Sequence, residues 1–176
     1  MPSATISERE PVGGGLHRVR LAVDPVKAAT HARHGQYVEV RHQGQSSTSD
    51  GAPVRGYFAI ASAPGESTWD LLVRDNGSMS ERLLALPLGS RVTTSDASGR
   101  GFPVESVRQR PLVLAVTGSG IAAVLSTLGA RIDDGDAHHT YLLYGVRERS
   151  EIALVSELEA MRSAGDRKST RLNSSH

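Results

Sequence analysis

The chain has 176 residues, 38% of them hydrophobic and 22% charged, and a formal net charge of +1. This composition describes a soluble globular protein of one large or two small domains, with no charge excess marking it for nucleic acid and no apolar run long enough to enter a membrane as a spanning helix. Cysteine is absent, which excludes disulfides, thiolate metal sites and a cysteine nucleophile within the chain and is compatible with a reducing, cytoplasmic compartment.

Residues 1–9 are polar and mixed in charge, unlike a signal peptide. Leu16, Arg18, Arg20 and Ala22 then interleave with His17, Val19, Leu21 and Val23 in the period-two alternation of a half-buried strand. The pattern recurs at 36–41. A Ser- and Gly-rich loop follows at 43–53, and further strands are predicted at 56–62, 69–74 and 91–95. Short strands at regular spacing, punctuated by Gly and Pro, predict a small antiparallel Greek-key β-barrel over 1–105. One helix interrupts it. Asn76-Gly77 makes a turn, Ser78-Met79-Ser80-Glu81 has the form of a capping box, and Leu83, Leu84 and Leu86 supply an apolar face.

Beyond Pro103 the periodicity changes. A strand at 112–116, a helix at 121–132, a strand at 140–144 and a helix at 150–162 make a β-α-β-α unit with parallel strands and a right-handed crossover. The predicted architecture is therefore a β-barrel followed by an incomplete α/β nucleotide-binding domain over 106–165. It holds two strands where such sheets carry about five or six, so this half is expected to bury little apolar area and to pack poorly. Among the seven histidines, His138-His139 lie beside Asp133, Asp134 and Asp136. Adjacent side chains on a strand diverge, and the spacing is not that of a zinc site, so no metal is expected.

Residues 166–176 carry no helical or strand period. Back-translated, they reproduce in frame the DNA of a widely used sequencing-library adapter. The genuine sequence is therefore expected to stop near Gly165, leaving a C-terminally truncated chain; genomic DNA encoding the tail in place would refute this.

The apolar run Pro111–Val116 leads directly into Thr117-Gly118-Ser119-Gly120-Ile121-Ala122-Ala123, a Gly-x-Gly-x-x-Ala turn between a strand and a helix. Such a turn presents free backbone N–H groups to a diphosphate, and its glycines let the backbone approach the phosphates. The start of the helix at Gly77-Ser78-Met79-Ser80 offers a second set of unpaired donors with a dipole that favours anions.

Five local matches, in order, resemble the ferredoxin–NADP reductase family, a flavin-binding barrel followed by a nicotinamide-nucleotide domain. They are Gly35-Gln36-Tyr37-Val38, Tyr57-Phe58-Ala59-Ile60-Ala61-Ser62, Gly77-Ser78-Met79-Ser80, Gly99-Arg100-Gly101-Phe102-Pro103 and Thr117-Gly118-Ser119-Gly120-Ile121-Ala122. The resemblance implies FAD and NAD(P)H as cofactors. It implies flavin contacts at Tyr57, Phe58, Ala59, Ile60, Ser62, Val73, Arg74, Gly77, Ser78 and Ser80, and nucleotide contacts at Thr117, Gly118, Ser119, Gly120, Ile121 and Arg147. Aligned on Ser62, the family's Arg-x-Tyr-Ser/Thr-x-x-Ser motif places its aromatic on Phe58, its hydroxyl on Ala59 and its arginine on Gly56. Arg55 is one residue off, on the opposite face of the strand, so Arg74 is the candidate cation for the flavin phosphates. Arg147 and Arg149 flank Glu148 after the second parallel strand, which favours NADPH.

The implied activity is electron transfer from NAD(P)H through the flavin to a ferredoxin, another redox protein or a small molecule, without nucleic acid or membrane and without a catalytic acid–base side chain. This stretch alone is expected to be inactive. The residues also fit a flavin- or nucleotide-binding module without turnover, or an isolated barrel interaction domain.

Overall fold

The computed structural model describes residues 3–42 and 54–173, the side chains of Ser78 and 166–173 excepted; the loop expected at 43–53 lies outside them. Six strands, β1 (Ser3–Gly13), β2 (Leu16–Ala22), β3 (Tyr37–Arg41), β4 (Arg55–Ala59), β5 (Thr68–Arg74) and β6 (Arg91–Thr94), form an antiparallel sheet in the order β4-β3-β6-β1-β2-β5. An Ile60–Leu71 bridge joins the outer strands and closes the sheet into a barrel with Greek-key connections. Alternation decides what fills it. Ile6, Val19, Leu21, Val38, Val40, Trp69, Leu71, Val73 and Val92 point inward, and the helix α2 (Ser78–Ala85) adds Met79 and Leu83.

Two elements escape the sequence reading. In β1 only Ala4 and Ile6 are buried, so an otherwise polar strand has almost no hydrophobic period to display. Helix α1 (Pro25–Thr30) is short, yet its signal was present: Pro25 opens it and the Asp24 carboxylate accepts from the N–H of Lys27 at 2.9 Å. The capping box is displaced. Gly77, not Ser78, occupies the N-cap of α2, and its carbonyl accepts from Glu81 N–H at 2.9 Å.

The second half has parallel strands β7 (Leu112–Thr117) and β8 (Thr140–Gly145) joined by helix α3 (Ile121–Asp133). Helix α4 (Val155–Asn173) starts five residues later than predicted: Arg149–Glu151 form a 3-10 turn, and Ala153 and Leu154 are buried beneath it. The same helix continues through Asn173, although no period announces one there; an established helix gains one hydrogen bond for each residue it adds, and no proline stops it. His138 and His139 do not diverge on a strand. They lie on the 3-10 turn Ala137–His139 with ring centroids 3.9 Å apart.

The expected boundary near 106 falls in the 3-10 turn Val104–Val107, but the two halves share one apolar cluster. Leu16, Ala61 and Leu72 of the barrel meet Leu114, Ile121, Leu125, Ala153 and Leu154. The second half is thus packed against the first in spite of its two strands. What stays uncovered is the other sheet face, where Val113, Tyr141 and Leu143 are 58%, 56% and 60% exposed; parallel sheets are ordinarily covered on both faces.

His31 follows α1 and is fully buried, edge-on to Trp69 with ring centroids 6.3 Å apart. Burial first, and then the nearby His34, push its pKa down to about 4, so it is held neutral. Between pH 6.5 and about 4 the unfolded chain binds this proton and the folded chain does not, so stability is full above that window and falls as pH drops through it. The expected loss is on the order of 3 kcal/mol. Urea unfolding at pH 7 and pH 4 measures it, and His31→Phe should flatten the dependence; an unchanged slope in that variant refutes the assignment.

Candidate functional site

The site is built on the outer face of β4. Arg55, Tyr57 and Ala59 point outward, while Gly56, Phe58 and Ile60 point inward. Phe58, the residue expected against the flavin, lies on the face of β4 that meets α2. Phe58 packs on the barrel core, and its ring lies 2.8 Å from where a Cβ on Gly56 would stand, with Met79 Cβ at 3.0 Å. A larger side chain at 56 would have to displace the Phe58 ring. Tyr57 is the outward aromatic, 58% exposed, and Arg55 shares its face. Arg55-Gly56-Tyr57 has an Arg-x-aromatic spacing of its own, one residue before the expected one. The Ser62 hydroxyl accepts from Asp70 N–H at 3.3 Å and lines a groove of about 600 Å³ between the barrel and α3.

Ile60 and Val73 are fully buried in the barrel, where their side chains pack the core. Gly56 lies against Met79, the second residue of α2, so β4 passes the first turn of that helix. At Gly77 an added Cβ meets nothing within 4 Å, which leaves open space over the unpaired N–H groups of the first turn. Ser80 is half-buried in that turn, and the Ser78 hydroxyl lies outside the described atoms. Arg74 lies on the outer face of β5 with Leu72, on the side facing the second half; its Nη1 is 3.2 Å from where a Gly15 Cβ would stand.

The second element is the glycine turn. Thr117 ends β7 in extended conformation, residues Gly118–Gly120 form a 3-10 turn, and Ile121 anchors α3 by full burial. Gly118 has φ +50°, a left-handed conformation that favours glycine, and a Cβ there meets nothing within 4 Å. Thr117, Ser119 and Gly120 are exposed. The Tyr144 hydroxyl donates to the Gly118 carbonyl at 2.9 Å and so holds the turn from β8. That role was invisible in the sequence, because it depends on the parallel register that sets Val116 beside Tyr144. Arg147 is exposed just beyond β8, its N–H donating to Glu151 Oε2 at 3.2 Å. β5 packs against the glycine turn, which brings the Arg74 strand and the turn to one side of the molecule. Among the described residues no group of three or more His, Cys, Asp or Glu side chains could hold a metal, and no helix is long and apolar enough to cross a membrane.

A Greek-key barrel with an open helix start, joined to a βαβ unit that opens on a glycine turn, is the architecture of FAD/NAD-binding oxidoreductase domains. Residues 114–175 match the family model of the oxidoreductase NAD-binding domain. A ferredoxin–NADP reductase B of Sorangium cellulosum is 32% identical over 120 residues, covering 66% of this chain and 49% of that protein. A sulfhydrogenase 2 subunit gamma of Pyrococcus furiosus is 27% identical over 109 residues, covering 60% and 38%. The fold matches the FAD/NAD-binding domain of a nitric oxide dioxygenase from Vibrio cholerae, with TM-score 0.79 and 18% identity over 94% of this chain and 70% of that one. In sequence and in fold the chain is similar to ferredoxin–NADP reductase-like proteins. It spans half or less of the length of the curated relatives it matches.

Proposed function

We propose that this chain supplies the flavin-holding barrel and the opening nucleotide segment of an NAD(P)H-dependent flavin oxidoreductase. The observation that carries this reading is the open first turn of α2 packed on β4, the strand whose other face carries Arg55 and Tyr57. These residues fit FAD. An exposed aromatic suits the face of an isoalloxazine ring, and a guanidinium with free helix-start donors suits a diphosphate. When bound, such a flavin would supply an acceptor for one hydride, two electrons, from a reduced nicotinamide and would release those electrons singly or together to an acceptor.

The chain's own residues bind and orient. Arg55 and the amides at 78–80 hold the diphosphate, and Tyr57 sets the ring plane. Backbone N–H groups at 118–121 hold the nucleotide diphosphate, with Tyr144 bracing the turn. Arg147 and Arg149 favour NADPH by offering charge to a ribose phosphate. The acceptor is a ferredoxin, another redox protein or a small molecule. A cysteine-free chain suits the cytoplasm.

Two variants test the site. Arg55→Ala should weaken FAD retention by the chain about 10-fold or more, the usual worth of a charge-assisted pair. If Arg74→Ala produces that loss and Arg55→Ala does not, the cation belongs to β5. A second reading, a binding module without turnover, draws on Ala59, which offers no hydroxyl to the flavin. The full-length gene product separates the two: anaerobic bleaching of its yellow colour by NADPH supports the reductase, and a bound but unbleached flavin supports the module.

A further inference from the structure

The peptide between Gly118 and Ser119 needs an anchor from outside the glycine turn. Gly118 has φ +50° and no Cβ, and glycine tolerates a wide range of ψ, so its own residue does little to fix the direction of this plane. The anchor comes from β8. The parallel register sets Val116 beside Tyr144 and Thr117 beside Gly145. A Cβ on Gly145 would stand 3.2 Å from the Thr117 methyl, so its absence lets the two strand ends lie close. The Tyr144 ring packs against the apolar cluster that holds Ile121 and Leu154, and its hydroxyl reaches past that cluster to donate to the Gly118 carbonyl at 2.9 Å. A phenylalanine would fill the same place in the cluster. What the hydroxyl alone adds is the direction of that carbonyl.

We propose that Tyr144 is a positioning residue that aims the Ser119 N–H at the diphosphate of a bound nicotinamide nucleotide. This rests on the reading of the glycine turn as the nucleotide site. In a trans peptide the C=O and the N–H that follows it point in opposite directions, so a Gly118 carbonyl drawn toward Tyr144 turns the Ser119 N–H away from β8. The turn is open to a ligand: Thr117, Ser119 and Gly120 are exposed, and the place of a Gly118 Cβ has nothing within 4 Å. The N–H groups that open a helical turn have no partner within it, so this donor is available to an anion. The same bond keeps the carbonyl, whose partial negative charge repels a phosphate, facing the phenol. Tyr144 needs no contact with the nucleotide; it acts on affinity through one backbone plane.

The test titrates NADPH into the isotope-labelled chain and follows the Ser119 amide by NMR, with Kd taken from the binding curve. In the wild type the Ser119 amide proton should move downfield as it donates to the diphosphate. Tyr144→Phe keeps the ring and its packing. It should weaken NADPH about 3- to 10-fold, the worth of one neutral hydrogen bond, and shrink the Ser119 displacement at saturation. Ser119→Pro deletes the donor at a helix opening, where proline is tolerated, and in that background the Tyr144 change should cost nothing further. Equal weakening by Tyr144→Phe in both backgrounds would place its effect elsewhere in β8 and overturn the inference. Unchanged NADPH binding in Tyr144→Phe would do the same, as would a Ser119 amide that stays in place when the wild type binds NADPH. A wild-type chain that binds no NADPH overturns the nucleotide reading itself and this inference with it.

Discussion

Replacing Arg131 by methionine is expected to destabilise the chain by about 3–5 kcal/mol, the cost of stripping one partner from a buried ion pair. Arg131 ends α3 with no exposed surface, yet its guanidinium is fully engaged. Nη1 donates to Asp136 Oδ2 and to the Val107 carbonyl, both at 2.8 Å, while Nη2 donates to the Arg110 carbonyl at 2.8 Å and Nε to Thr140 Oγ1 at 2.9 Å. Asp136 also accepts from Gln109 N–H at 2.9 Å. One side chain therefore ties the segment between the halves, at 107–110, to the start of β8. Methionine fills similar volume but leaves the Asp136 carboxylate buried with a single backbone donor. Arg131→Lys should fall between, because an ammonium cannot span four acceptors in the geometry of a planar fork. The double variant Arg131→Met with Asp136→Leu should recover much of the loss, since an apolar pair removes the stranded charge. Urea unfolding of the three variants measures this. A loss below about 1 kcal/mol in Arg131→Met would show that the pair contributes no more than a surface one.

Gly14→Ala is the second large effect, at about 2–5 kcal/mol. The tip of the β1–β2 hairpin docks on the segment leading into α4, where Leu154 N–H donates to the Val12 carbonyl at 2.7 Å. A Cβ on Gly14 would stand 2.3 Å from the Glu151 carbonyl oxygen and 3.1 Å from Ala153 N. Both are backbone atoms, so the hairpin has to move away from the second half. Gly14 also has φ +58°, which adds about 1–2 kcal/mol for any L side chain, on top of the roughly 1–3 kcal/mol of overpacking. Gly65→Ala separates the two contributions. It has φ +79° but nothing within 4 Å of the added Cβ, so it should lose the conformational part alone. Equal losses in the two variants, by unfolding, would show that the hairpin contact yields freely.

This hairpin explains why the second half stays in place. Two parallel strands are too few to make an independent layer, but Gly13 and Gly14 let β1 and β2 reach the 151–153 backbone, and Arg18 pairs with Glu157 of α4. Together with the shared cluster around Leu72 and Ile121, they make the barrel serve as the missing wall.

Alternation and glycine placement are local properties, and so the barrel strands from β2 onward, the Gly118–Gly120 turn and the change of class after Pro103 were readable directly from residue order. The family resemblance was readable for the same reason, since its motifs are short and their order survives. Strand β1 was not, because only two of its residues face a core that distant strands create. Which of two neighbouring residues turns outward is also a tertiary matter. The Phe58 ring lies over Gly56 beside Met79, a contact set by the approach of α2 and not by the β4 sequence. Arg131, Tyr144 and Gly14 likewise look ordinary in the chain. Their weight comes from carbonyls and backbone brought to them from about 20 to well over 100 residues away, and only the folded chain places those partners.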